Sequence, residues 1–179
     1  MIYIAFLQAV NVGGRTVKME RLRELFSELG LANVRTYIQS GNVFFETPES
    51  DRAVLTRDIE YHLRRALGYE VATFLRTIAE VEQALALDPF KGLEVTAEMR
   101  LCLVFTSEPL PHDLALPHFS PKGDFELVHT TPGEAFVVMR LVNGRAGNPS
   151  AFIEKTFKVK ATTRFFATTR KILQAATDR

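Results

Sequence analysis

The sequence predicts an α+β fold of two ferredoxin-like (alpha-beta plait) subdomains, each an antiparallel sheet with helices packed on one face. Three observations predict it. Short runs with period-two alternation interleave with longer runs of helical periodicity. Over residues 1–76 they fall in the order β-α-β-β-α-β, the split βαβ arrangement. Over residues 77–179 a similar series follows, as β-(α)-β-β-α with a C-terminal helix, a degenerate echo of the first.

The elements follow in order. In Met1–Leu7, Ile2, Ile4 and Phe6 alternate with Tyr3, Ala5 and Leu7, a strand. Asn11–Gly14 breaks it. Met19, Leu22, Leu25, Phe26 and Leu29 are spaced for a helix that Gly30 ends. Val34–Gln39 reads as a strand, Ser40-Gly41-Asn42 as a hairpin turn and Val43–Glu46 as the return strand. Thr47-Pro48 reads as the cap and first residue of a helix carrying Leu55, Ile59, Leu63 and Ala66, closed by Gly68. Val71–Leu75 is the fourth strand.

In the second part Thr77 and Glu80 make a capping box for a helix that Asp88-Pro89 ends. Arg100–Thr106, Asp124–His129 and Ala135–Leu141 read as strands, and the Pro-rich 108–120 as loop with a helical turn. Asn148-Pro149 opens a helix to about Phe157. Thr163 is read as the cap of the last helix, lined by Phe166, Thr169, Leu173 and Ala176. No convincing sequence repeat accompanies the echo.

Composition bounds the rest. With 179 residues, 46% hydrophobic and 14 Phe, the chain can bury a real core, which excludes a disordered chain. One cysteine excludes a disulfide scaffold, and Cys102, inside an apolar run, reads as a buried, inert thiol. No apolar run is long enough to cross a bilayer, and the N-terminal segment reads as a strand rather than a signal peptide. The expectation is a cytoplasmic protein with no membrane partner, a monomer or weak homodimer. Net charge is +1, but residues 80–139 carry 3 basic and 10 acidic side chains and residues 140–179 carry 9 basic and 2 acidic. The basic segment either meets an anionic partner or neutralises the acidic one.

Two stretches could hold an anion. Asn11, Gly13 and Gly14, with Arg15 and Lys18 behind them, combine close backbone approach, N–H groups at a helix start and two cations. The spacing is neither a Walker A loop nor a dinucleotide fingerprint. Thr162, Thr163 and Arg164 are expected at the start of the last helix, where a cation opposes the macrodipole unless an anion offsets it. Tyr3, Arg35, Tyr37 and Gln39 are candidate contacts on the open sheet face, which the second subdomain could equally cover. Taking strands one and three as parallel puts the Asn11–Gly14 loop and the Ser40–Asn42 turn at opposite ends of the sheet. His62, His112, His118 and His129 have no metal-ligand spacing, so no metal and no cofactor is expected. No catalytic signature names a reaction.

The blocks Ala5-Phe-Leu-Gln-Ala-Val-Asn-Val-Gly-Gly14, Lys18-Met19 with Leu22, Val34-Arg-Thr-Tyr-Ile-Gln-Ser-Gly-Asn-Val43, Ile153-Glu-Lys155 and Ala161-Thr-Thr-Arg164 together resemble domain-of-unknown-function family 1697, uncharacterised bacterial proteins. The resemblance spans nearly the whole chain, weakest over 87–127. It implies two alpha-beta-plait subdomains and little about function. Gln8 stands where the family often has Arg, and Phe165, Phe166, Ala167 and Thr168 where it often has Asn-Trp-Asn-Thr; both departures remove polar groups beside the motifs.

The leading functional expectation is a protein that binds an anionic ligand, a nucleotide or single-stranded nucleic acid. The alternatives are an enzyme acting on a small phosphorylated metabolite and a non-catalytic protein–protein interaction module.

Overall fold

The computed structural model describes residues 1–178 and forms two compact units, Met1–Val81 with Ile172–Arg179 and Glu82–Lys171. The elements are β1 (Ile2–Leu7), α1 (Met19–Glu28), β2 (Ala32–Thr36), β3 (Asn42–Glu46), α2 (Arg52–Leu67), β4 (Thr73–Thr77), α3 (Ile78–Leu87), β5 (Met99–Thr106), β6 (His118–Phe119), β7 (Phe125–Thr130), β8 (Glu134–Arg140), α4 (Pro149–Phe157), β9 (Ala161–Phe165) and α5 (Phe166–Thr177). The fold is α+β, two antiparallel sheets in alpha-beta-plait order.

In the first unit the sheet runs β2-β3-β1-β4, with every neighbouring pair antiparallel. This corrects the expected direction of β3. Helix α1 returns the chain so that β2 runs with β1, and the β2–β3 hairpin then reverses β3 against both. The loop that leaves β1 and the turn that enters β3 therefore share one end of the sheet.

The period-two pattern of β1 puts Tyr3, Ala5 and Leu7 on the helix-covered face. There they join Val43, Phe45 and Leu75 of the sheet with Leu22, Leu25 and Phe26 of α1 and Leu55, Ile59 and Leu63 of α2. The Phe45 ring centroid lies 5.7 Å from that of Tyr3 and 5.8 Å from that of Phe26. Each such side chain contributes about 1.5–3 kcal/mol by leaving water. The alternate set, Ile4, Phe6, Phe44 and Phe74, is buried as well.

Three sequence expectations shift here. Helix α2 starts at Arg52, capped by Asp51, whose carboxylate accepts the Val54 N–H at 3.2 Å. Thr47 closes only a local turn by accepting the Glu49 N–H, so Thr47-Pro48 is not the helix start. Strand β2 ends at Thr36, because the Asn42 side chain donates to the Tyr37 carbonyl and closes a wider turn over 38–41. Thr77 and Glu80 do make the reciprocal capping box of α3.

In the second unit the sheet runs β6-β7-β8-β5-β9, again antiparallel. Cys102, Val104, Val137, Met139 and Phe125 pack on Phe152 and Ile153 of α4, with Phe125 and Phe152 stacked at 5.2 Å. Asn148 caps α4 ahead of Pro149 as its pattern predicts. Phe90, Phe136 and Phe166 meet edge-on or tilted at 5.2–6.4 Å.

The main correction falls at 161–165. This stretch is strand β9, not the cap of a helix, and α5 begins directly after it at Phe166. Thr162, Thr163 and Arg164 pair with Phe105, Val104 and Leu103 of β5, so the paired backbone overrides the local cap signal. The buried stripe of α5 is Phe166, Thr169, Ile172 and Ala176, with Ile172 in place of the expected Leu173.

With β9 in place, the second unit repeats the strand order of the first once β6 is set aside. Arg76 is the fourth residue of the fourth strand in unit one, and Arg164 holds the same place in unit two. The row Arg35–Phe44–Ile4–Arg76 crosses the first sheet, and the row His129–Phe136–Leu103–Arg164 crosses the second at equivalent positions.

Candidate functional site

The candidate site is the end of the first unit where β1 leaves the sheet. Asn11 joins its two motifs. Its side-chain amide donates to the Gln39 carbonyl at 2.7 Å, and its side-chain oxygen accepts the Val17 N–H at 2.7 Å. The Leu7 N–H donates to the Gly41 carbonyl at 2.9 Å, and the Gln8 N–H to the Ala72 carbonyl at 3.0 Å. Gly41 has φ +89°, and a Cβ there would lie 2.6 Å from Val10 Cγ2 and 3.1 Å from Leu7 Cβ. The turn seats on the loop only because residue 41 has no side chain.

Gly13 and Gly14 lie at the crest, both exposed and both in the left-handed region, with open space around each. Among the described residues their N–H groups meet no acceptor, so they face solvent as donors. They stand six and five residues ahead of α1 rather than at its start. Lys18 occupies the α1 N-cap instead, without a side-chain cap. A cation there opposes the helix dipole by about 0.3–1 kcal/mol, relieved by a bound anion. The Arg15 guanidinium lies 4.3 Å from the centre of the Tyr69 ring, whose hydroxyl reaches the Val10 carbonyl at 3.5 Å. Arg15 and Lys18 are exposed, and among the described residues neither has a carboxylate partner.

The backbone here is strained. Ala9 has φ +56° and Ile38 φ +51°, on the two motifs that Asn11 joins. A β-branched residue in that region is a steric outlier costing about 1–3 kcal/mol.

The remaining candidates lie elsewhere. Tyr3 is 1% exposed in the helix-covered core, so it offers no contact on the other sheet face. Arg35 stacks over Phe44 at 5.3 Å and donates to the carbonyls of Ala175, Ala176 and Asp178 at 2.8–2.9 Å, closing the end of α5. Tyr37 and Gln39 sit in the β2–β3 turn rather than on the sheet face.

Thr162, Thr163 and Arg164 belong to the second unit. Arg164 is 7% exposed, and its guanidinium donates to Thr162 Oγ1 at 3.1 Å and to the Thr163 carbonyl at 2.9 Å. Burial pushes it down to about 10. Thr163 shares a 2.6 Å hydrogen bond with Ser150. All three lie in β9, paired with β5.

Sequence reasoning missed Tyr69 and Ile38. Tyr69 carries no signal beyond following the Gly68 helix cap, and Ile38 reads as ordinary strand until the turn around it is known. Among the described residues no cluster of three or more His, Cys, Asp or Glu is placed to hold a metal ion. No described helix is long and apolar enough to cross a membrane.

The alpha-beta-plait architecture and the Asn11–Gly14 and Gln39–Asn42 blocks at one sheet end define the class of protein. The chain belongs to the family described as "Protein of unknown function (DUF1697)", which matches residues 1–136. The solved structure of the conserved bacterial protein SP0830 from Streptococcus pneumoniae matches with a TM-score of 0.70 at 23% identity, over 99% of this chain and 98% of that one. That likeness speaks to the fold. A search of the curated proteins finds no match.

Proposed function

We propose that the chain binds an anionic, phosphate-bearing ligand, a nucleotide or single-stranded nucleic acid, at the β1 exit of its first unit. One observation carries the reading: Arg15 and Lys18, both exposed and without carboxylate partners among the described residues, flank the solvent-facing N–H groups of Gly13 and Gly14 on a loop that Asn11 pins to the Gln39 turn. Donors and cations fixed before a ligand arrives lower the ordering cost of binding. The left-handed glycines let an anion approach the backbone closely.

The test is a thermal-shift panel of AMP, ribose 5-phosphate and short single-stranded RNA and DNA at low and moderate salt. A ligand at about 100 times its dissociation constant adds about 2.7 kcal/mol, a readily measured rise in Tm. The reading predicts such a rise with a phosphate compound and its loss in the Arg15→Ala/Lys18→Ala double variant. A rise that survives the double variant, or none with any compound, contradicts it.

A further inference from the structure

Arg15 is held differently from the other cations of the first unit. Arg21, Arg52, Arg57 and Arg64 each pair with a carboxylate. Arg15 has no such partner among the described residues. Its guanidinium carbon lies instead 4.3 Å from the centre of the Tyr69 ring, closer than the 5.3–5.9 Å of Arg35, Arg52 and Arg65 over their rings. Glu70, the residue after Tyr69, is engaged by Arg64 at 3.4 Å.

The ring is a fixed platform. Gly68 ends α2 in the left-handed region at φ +83°, and its N–H donates to the Arg64 carbonyl at 2.9 Å, which sets where Tyr69 leaves the helix. The ring is half-buried against the core of the first unit, and its hydroxyl donates to the carbonyl of buried Val10 at 3.5 Å. Tyr69 thus ties the end of α2 to the loop that carries Arg15.

A ring and a carboxylate hold a cation with different consequences. A carboxylate would neutralise Arg15 and occupy its N–H donors. An aromatic face holds a guanidinium without a counter-charge and leaves the donors at its edge open. Ordering a long side chain costs entropy when a ligand binds, and a side chain already held avoids part of that cost. Lys18, the second cation, has no ring and no carboxylate partner among the described residues.

Resting on the anion reading above, we infer that Tyr69 is the positioning residue of that site. It holds the Arg15 guanidinium ready for the paired oxygens of a phosphate group, and Lys18 adds charge alone.

The experiment measures affinity for AMP and for a short single-stranded oligonucleotide in wild type, Tyr69→Phe, Tyr69→Leu, Arg15→Lys, Arg15→Ala and Tyr69→Leu/Arg15→Ala. Tyr69→Phe keeps the ring and is expected to bind like wild type. Tyr69→Leu is expected to weaken binding about two- to five-fold, the equivalent of one exposed cation–π pair, and to add nothing in the Arg15→Ala background. Arg15→Lys keeps the charge but lacks the planar fork, and is expected to weaken binding by at least the same factor. Arg15 is exposed, so this variant carries the test even where Tyr69→Leu fails to fold. In the free protein the Arg15 Nε–H signal is expected to be displaced by the ring current in wild type and Tyr69→Phe. Absence of that displacement overturns the inference, as does Arg15→Lys or Tyr69→Leu binding as tightly as wild type. Equal weakening by Tyr69→Phe and Tyr69→Leu, or weakening that persists in the Arg15→Ala background, gives Tyr69 a role in the loop and overturns it too. Each of these leaves the anion reading intact. Wild type that binds neither probe overturns the anion reading itself.

Discussion

Asn11 holds Gln39: its side-chain amide donates to the Gln39 carbonyl at 2.7 Å across 28 residues of sequence. The same side chain accepts from Val17 at 2.7 Å, so one residue fixes both the shape of its own loop and that loop's seat on the β2–β3 turn. Asn11→Ala removes both bonds and leaves the part-buried Val17 N–H without its acceptor. The expected cost is about 1–3 kcal/mol in urea unfolding. A variant as stable as wild type would show that the clasp contributes nothing.

Gly41 and Gly13 separate two reasons for a glycine. An Ala at 41 meets a left-handed backbone and a Cβ 2.6 Å from Val10, which is itself buried. An Ala at 13 meets only the backbone term, with no atom within 4 Å. Gly41→Ala is expected to cost at least about 2 kcal/mol and Gly13→Ala about 1 kcal/mol in the same measurement. Equal costs would mean that the close approach at Val10 relaxes freely.

Glu80 gives the acid limb of stability a local source. Burial works to raise its carboxyl, but the 2.7 Å Arg52 hydrogen bond, the Thr77 N–H and the charges of Arg52 and Arg76 outweigh it and hold the group below its ordinary value of 4.5. A carboxyl depressed in the folded state stabilises above its unfolded pKa and loses that contribution as pH falls through the folded value. In Glu80→Gln, stability is expected to fall less steeply below pH 4.5 than in wild type. Superimposable acid limbs would remove Glu80 from the account.

Cys102 is buried in β5, and desolvation pushes its thiol up to about 12 despite the opposing charge of Arg100. Only the thiolate reacts. The native protein is therefore expected to resist iodoacetamide at pH 8 and to take up one equivalent when unfolded in guanidinium chloride. Rapid labelling of the native protein would place this thiol in an exposed or opening strand.

The sequence makes the elements with local causes legible. Alternation marks β1, and cap chemistry marks the starts of α3 and α4, because each signal lies within a few residues of what it specifies. Strand β9 was hidden for a physical reason. It runs into α5 with no turn residue between Phe165 and Phe166, and two of its buried positions, Thr162 and Arg164, are polar and satisfied by hydrogen bonds. Polar residues at buried positions erase the hydrophobic alternation by which a strand is recognised. The repeat of the strand order therefore reads in the sequence only as a degenerate echo, its fourth strand and the match of Arg164 to Arg76 missing for the same reason. At the site, the residues of the Asn11–Lys18 loop stand out one by one. Their meeting with the Gln39 turn depends on the direction of β3, which is set by topology rather than by either motif.

The most direct measurement of the central claim is an amide chemical-shift titration of the 15N-labelled protein with AMP. The account predicts the largest shifts at Gly13, Gly14, Arg15 and Lys18, with Ile38 to Gly41 moving alongside them through the Asn11 clasp. Saturating shifts confined to other residues, such as those of β9, or no shifts with either millimolar AMP or a short single-stranded oligonucleotide, would contradict it.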